Sequence, residues 1–153
     1  MIIDILPHER EHVYHVARLK MAEVYELGQH RSSRQQIINP LHRWVIGCLG
    51  EYALAKSLHL EWGFMPYHPD TYDVAGIEVR TSRNANANLY THDRDKTAIY
   101  VHANIFSAAQ TVRFNGWARL QDCNIDAHRN NDLPVPCYET PRYKLWPMDM
   151  LPL

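Results

Sequence analysis

Residues 72 to 81 read Tyr72-Asp73-Val74-Ala75-Gly76-Ile77-Glu78-Val79-Arg80-Thr81, with a period of two on either side of Ala75-Gly76. Two short alternating runs joined by a two-residue turn are a β-hairpin signal. A two-residue loop at Ala75-Gly76 would set Val74 against Ile77 and Asp73 directly opposite Glu78. Directly opposed residues have Cβ atoms about 4.5 to 5.5 Å apart, and like charges at that distance destabilise the pair unless something neutralises them. A divalent cation would do so. Alternation carries Arg80 to the same face as Glu78 and turns Ile77 and Val79 to the buried side, giving acid, acid and cation in a row. Hard oxygen donors of this kind suit Mg²⁺ or Mn²⁺. The plainer alternative is a solvated hairpin face on which Arg80 pairs with one acid for about 0.2 to 1 kcal/mol.

Helical spacing precedes this stretch. Pro7 followed by HEREHVYHVARLKMAEVYELG predicts a helix, with Pro in the first turn, acids early, Gly28 at its end, and Val13, Val16, Ala17, Met21 and Val24 on one face. The polar segment up to Pro40 reads as a loop or lid. A second helix is expected from Leu41 to Leu58, with Trp44, Cys48, Ala55 and Leu58 near one stripe. Gly47 and Gly50 each cost such a helix about 1 kcal/mol relative to Ala, which points to a close approach by another element. Glu51 interrupts the apolar run between Cys48 and Leu54 and would need a partner if buried. Downstream, Ala98–Ala103 and Val112–Ala118 are strand candidates with a turn over Asn104–Gln110, and the Pro-, Asn- and Asp-rich tail after Cys123 is expected to wrap the surface. These elements predict one α+β domain over residues 1–153.

Composition narrows the functional classes. A formal net charge of -1 gives no global attraction to nucleic acid, so such a partner would be held by a local basic face. Three cysteines, Cys48, Cys123 and Cys137, form no C-x-x-C pair and suggest neither a disulfide framework nor a thiolate zinc site. The opening MIIDILPHERE lacks a basic lead, and the longest apolar run, Trp44 to Leu49, is far short of the roughly 20 residues that span a bilayer, so a cytoplasmic protein is expected. His8, His12 and His15 lie at helical spacing but without a matching carboxylate pattern, and they read as surface residues. Trp44, Trp62, Trp117 and Trp146 read as core rather than as base-stacking platforms.

The order Gly50-Glu51 on a helix, then Asp73, then Glu78-Val79-Arg80 opening a strand resembles the PD-(D/E)xK nuclease superfamily. Asp95-Lys96 before one strand and Asn115-Gly116-Trp117 within the next are similar to small phage and bacterial members, so the resemblance spans roughly residues 41 to 120. It implies an α/β fold with a restriction-endonuclease-like core, a mixed sheet flanked by helices. It also implies a magnesium- or manganese-dependent nuclease in which Asp73, Glu78 and Glu51 serve the metal and Arg80 stands where the family usually has Lys. Pro69-Asp70 spells the family's name but lies off the register of Glu78, so Asp73 is preferred. Arginine stays protonated and cannot accept a proton from water, but it can clamp a phosphate oxygen. Lys96 is a candidate for the missing ammonium. Arg34, Arg83, Arg94 and Lys96, with Arg31, could hold phosphates on either side of the cleavage point. The resulting expectation is a nuclease acting on nucleic acid, most simply DNA, with a homodimer compatible with so short a chain. The alternatives are a catalytically silent relative that binds nucleic acid or a protein partner, and a phage accessory factor acting through its surface.

Overall fold

The computed structural model describes residues 1–27, 40–66, 73–106, 111–133 and 135–152. The architecture is mixed α+β. A first helix, α1 (Pro7–Glu26), follows a short strand, β1 (Ile2–Asp4). Pro7 fits its first turn, and Glu9 accepts the Leu6 N–H at 2.7 Å and takes Lys56 at 2.8 Å, satisfying a free helix-end donor. Val13, Val16 and Ala17 are buried, as their spacing predicts, while the expected stop at Gly28 lies outside the described residues.

The second helix, α2 (Pro40–Ser57), buries Cys48, Leu49, Gly50, Glu51, Ala53, Leu54 and Ala55. That run covers nearly the full circumference of two turns, so α2 is an internal helix rather than one with a single buried stripe. Of its glycines only Gly50 marks the anticipated close approach. A Cβ there would stand 3.1 Å from the Val79 and Thr81 side-chain carbons and collide with the Thr81 hydroxyl, whereas one on Gly47 would meet nothing within 4 Å.

Four strands form the main sheet in the order β1, β5 (Thr111–Arg119), β4 (Ile99–Phe106) and β2 (Ile77–Ser82). The first two pairings are antiparallel and β2 runs parallel to β4, with Glu78 beside Tyr100 and Arg80 beside His102. The turn is as read: Val74 and Ile77 form a bridge across Ala75 and Gly76, both at positive φ (49° and 81°) as a primed two-residue turn requires. The hairpin itself is corrected. Among the described residues its first arm pairs only at Val74, and β2 draws its full ladder from β4 instead. Both later strands exceed their expected limits, so Asn104 belongs to β4 and not to a turn. The β4–β5 register shifts at His102/Ala103, leaving Asn115 as the extra residue of a bulge.

The two faces of the main sheet differ. Val79, Val101, Ala103, Val112 and Phe114 join α1 and α2 in the main core, while Tyr100 and Ala118 pack with Leu89 and Cys123 in a second cluster. Leu89 belongs to a second, three-stranded sheet in the order β3 (Leu89–Thr91), β7 (Cys137–Thr140) and β6 (Arg129–Asn130). The tail therefore does more than wrap the surface: it supplies two of these strands, and Trp146 bridges to Trp117 on β5. The three cysteines are buried and unpaired. No helix among the described residues is long and apolar enough to cross a membrane.

The two glycines of α2 should respond in opposite senses. Gly50→Ala should destabilise the protein by about 1 to 3 kcal/mol through overpacking against β2, whereas Gly47→Ala should stabilise it by up to about 1 kcal/mol through helix propensity. Urea unfolding of both variants checks the pair.

Candidate active site

Among the described residues β2 is an edge strand, and its open edge carries the Val79 N–H, which no described strand receives. The Asp73 carboxylate, returned to β2 by the Ala75-Gly76 turn, accepts that N–H at 2.8 Å. Asp73 thus reaches the acidic strand through its side chain rather than as a ladder partner of Glu78. Both acids line a cavity of about 920 Å³ whose opposite wall is built from α1, α2 and the segment after α2, including Lys20, Glu51, Trp44 and Trp62.

Glu51 reaches this cavity because Gly50, its neighbour, lets α2 sit against β2. It is buried and accepts two donors: the Lys20 ammonium at 2.5 Å and the Trp62 indole N–H at 3.2 Å. The ammonium also lies 5.6 Å from the centre of the Trp62 ring, within cation–π range. Lys20 escaped the reading of the sequence, although a signal for it exists. It stands four residues after Val16 and three after Ala17, a cation continuing the buried face of α1. No comparable signal marked Trp62.

Arg80 has a different place from the one expected. Its guanidinium lies 3.4 Å from Glu78 and 3.2 Å from Asp95, with the Tyr100 ring 5.5 Å away, and it does not line the acidic cavity. Asp95 also accepts the His92 N–H at 2.9 Å, which anchors the arrangement. Arg80 therefore holds Glu78 from behind. Lys96, the candidate substitute ammonium, is exposed and does not line the cavity either. Arg94 and Lys96 flank Asp95 on the surface. Arg83 is exposed beyond the far end of β2, roughly 16 Å along the strand from Glu78 at 3.3 Å per residue, and bonds His42 at 2.8 Å. Arg31, Arg34 and Pro69-Asp70 lie outside the described residues.

The electrostatics follow from this uneven pairing. Burial, then the charges of Glu51 and Glu78, push the Asp73 carboxyl up to about 8, more than the Val79 N–H and Lys20 can offset. Burial also raises Glu78 against the pull of Arg80. For Lys20, burial favours the neutral amine, but the Glu51 charge and hydrogen bond outweigh it and the pKa ends above the ordinary value. Lys20 is thus a fixed ammonium. Burial next to Glu51 pushes the Cys48 thiol up to about 12, which leaves it unreactive.

Among the described residues no three His, Cys, Asp or Glu side chains are arranged to enclose a metal ion by themselves. Five acids line the cavity, Glu23, Glu51, Glu61, Asp73 and Glu78; Asp73 and Glu78 come together on the β2 side, and Glu51 is committed to Lys20 and Trp62. Two carboxylates fit Mg²⁺, which keeps several waters and takes its remaining ligands from substrate phosphates. His8, His12 and His15 are exposed on α1, as expected of surface residues. Of the tryptophans, Trp117 is core, Trp44 and Trp62 line the cavity, and Trp146 is half exposed and stacked on Trp117. Family models, curated proteins and solved structures give no match to this chain.

The Asp73 proton has a consequence for stability. The folded protein holds it up to about pH 8, while an ordinary Asp releases it near 3.8. Its stabilisation is complete below about pH 4 and is lost as pH rises through about 8. In metal-free buffer the melting temperature should fall by more than about 3 °C between pH 6 and 9. The isosteric Asp73→Asn, which cannot ionise, should flatten that fall in the same thermal scans.

Proposed function

We propose that the protein is a divalent-metal-dependent nuclease of the PD-(D/E)xK kind, hydrolysing phosphodiester bonds of nucleic acid, most simply DNA, on a restriction-endonuclease-like core. One observation carries the reading: acids from three separate segments, Glu51, Asp73 and Glu78, meet a lysine in one cavity, and the lysine only partly offsets what burial and the neighbouring acids do to Asp73. A buried acid forced toward its neutral form by its neighbours is a common mark of a functional site. Mg²⁺ or Mn²⁺ held by Asp73 and Glu78 would supply a water of lowered pKa and charge stabilisation at the phosphate.

The remaining residues have roles set by their contacts. Glu51, fixed by the Trp62 indole, holds the Lys20 ammonium at the cavity wall. Lys20 stays charged and so acts by attracting a phosphate oxygen rather than by taking a proton. It supplies the cation that the family motif places two residues after the Glu. Arg80 is a positioning residue that orients Glu78 and ties it to Asp95.

Incubation of supercoiled plasmid, linear duplex and single-stranded DNA with Mg²⁺ or Mn²⁺ tests this directly. Cutting by the natural protein should be lost in Asp73→Ala and Glu78→Ala, and Lys20→Ala should lower the rate by about 10²- to 10³-fold, the usual cost of one charge-stabilising donor. Arg80→Lys should cost less than Lys20→Ala. A folded protein that cuts none of these substrates would replace the enzyme with a silent relative that only binds.

A further inference from the structure

A second, smaller cavity of about 220 Å³ lies between β2 and β3, lined by Arg80, Ser82, Asn88, Tyr90, His92 and His102 among others. Arg80 and His102, two of its lining residues, are neighbours in the β2–β4 register. The hydrogen bonds beneath it fix the protonation of His102. Asn104 is fully buried, and its amide nitrogen faces the backbone oxygens of Ser82 at 3.3 Å and Asn84 at 2.9 Å, so its oxygen must point the other way. That oxygen lies 2.6 Å from the Asn115 amide nitrogen, which must therefore be the donor. The same nitrogen lies 3.1 Å from Nδ1 of His102, which can only accept.

The imidazole proton of His102 is consequently on Nε2. Burial, with the nearby Arg142 charge, pushes the ring pKa down to about 4, so this neutral tautomer is the form present near pH 7. His102 is 1% exposed, and its Nε2 has no hydrogen-bond partner among the described residues. Nor does the buried Nε of Arg80, whose two terminal nitrogens are taken by Glu78 and Asp95. An unsatisfied buried donor costs about 1 to 3 kcal/mol, and these two belong to register neighbours that line one cavity, so an acceptor there could serve both. The cavity, at about 220 Å³, exceeds the roughly 30 Å³ that one water occupies in the liquid, and the Arg142 charge acts on His102 while that of Arg80 is offset at its terminal nitrogens by Glu78 and Asp95.

We propose that this cavity is a phosphate subsite in which one phosphoryl oxygen accepts hydrogen bonds from Nε of Arg80 and Nε2 of His102. Arg80 contacts Glu78 as well, so an occupied subsite would stand beside the acidic cavity without needing a metal. The bound group is a phosphate oxyanion, supplied either by a nucleic-acid backbone or by free phosphate.

The test is a phosphate titration of the full chain in metal-free buffer, with the ring-proton resonance of His102 followed by ¹H–¹⁵N spectroscopy and sodium chloride at equal ionic strength in parallel. The Nε2–H signal should be present before addition and should shift saturably with phosphate. Arg80→Lys, which keeps the charge but removes Nε, should weaken binding at least about tenfold. His102→Gln, which retains an N–H donor, should bind more tightly than His102→Leu. Tighter binding of an unphosphorylated dinucleotide, with its single internal phosphodiester, than of inorganic phosphate would assign the subsite to a nucleic-acid backbone. Tighter binding of inorganic phosphate would assign it to the free ion. A proton found on Nδ1, or a shift that chloride reproduces, or binding unchanged in Arg80→Lys, would overturn the proposal. Because no divalent metal is present, none of these results depends on whether the protein cleaves DNA.

Discussion

The hydrogen bond from the Val79 N–H to the Asp73 carboxylate, at 2.8 Å, joins the fold to the site. An edge strand leaves donors unpaired, and each must be satisfied by water, a side chain or another strand. Here a carboxylate does so, and its position depends on the turn at Ala75-Gly76. The same contact draws Asp73 into the protein next to Glu78 and across from Glu51. One local solution to an edge-strand problem therefore gathers acidic groups where α2, β2 and α1 meet.

That concentration opposes stability. Lys20 answers Glu51, and Arg80 answers Glu78 and Asp95, whereas Asp73 accepts a backbone N–H and is not ion-paired among the described residues. Packing elsewhere holds the acids together: Gly50 brings α2 against Val79 and Thr81, and Ile77 and Val79 anchor β2 in the core. A cavity that holds acids together against their own repulsion would be stabilised by an entering cation, which is the physical basis of the proposed metal-dependent chemistry.

Much of this was legible in the residues. Helical spacing located α1 and α2, period-two alternation located β2, β4 and β5, and the order of acids along the chain singled out Glu51, Asp73 and Glu78. What was not legible is long-range. Nothing local distinguishes an antiparallel partner for β2 from the parallel partner it has in β4, which comes from a later segment of the chain. The face shared by Asp73 and Glu78 was right in outcome but not in cause, because a side chain and not a ladder position brings them together. Lys20 is separated from Glu51 by thirty-one positions, so only its place on the buried stripe of α1 hinted at it. Arg80, two residues from Glu78, was placed correctly beside that acid, but Asp95 turns it away from the cavity.

If the Asp73–Glu78 cavity is a cation site, a proton must leave Asp73 when the ion enters near neutral pH. Calorimetric titration with Mn²⁺ at pH 7, repeated in buffers of different ionisation enthalpy, measures binding and proton release together. One ion bound with release of about one proton, and loss of that release in Asp73→Asn, is the predicted result. No binding at millimolar Mn²⁺, or binding with the same proton release in Asp73→Asn, would contradict it.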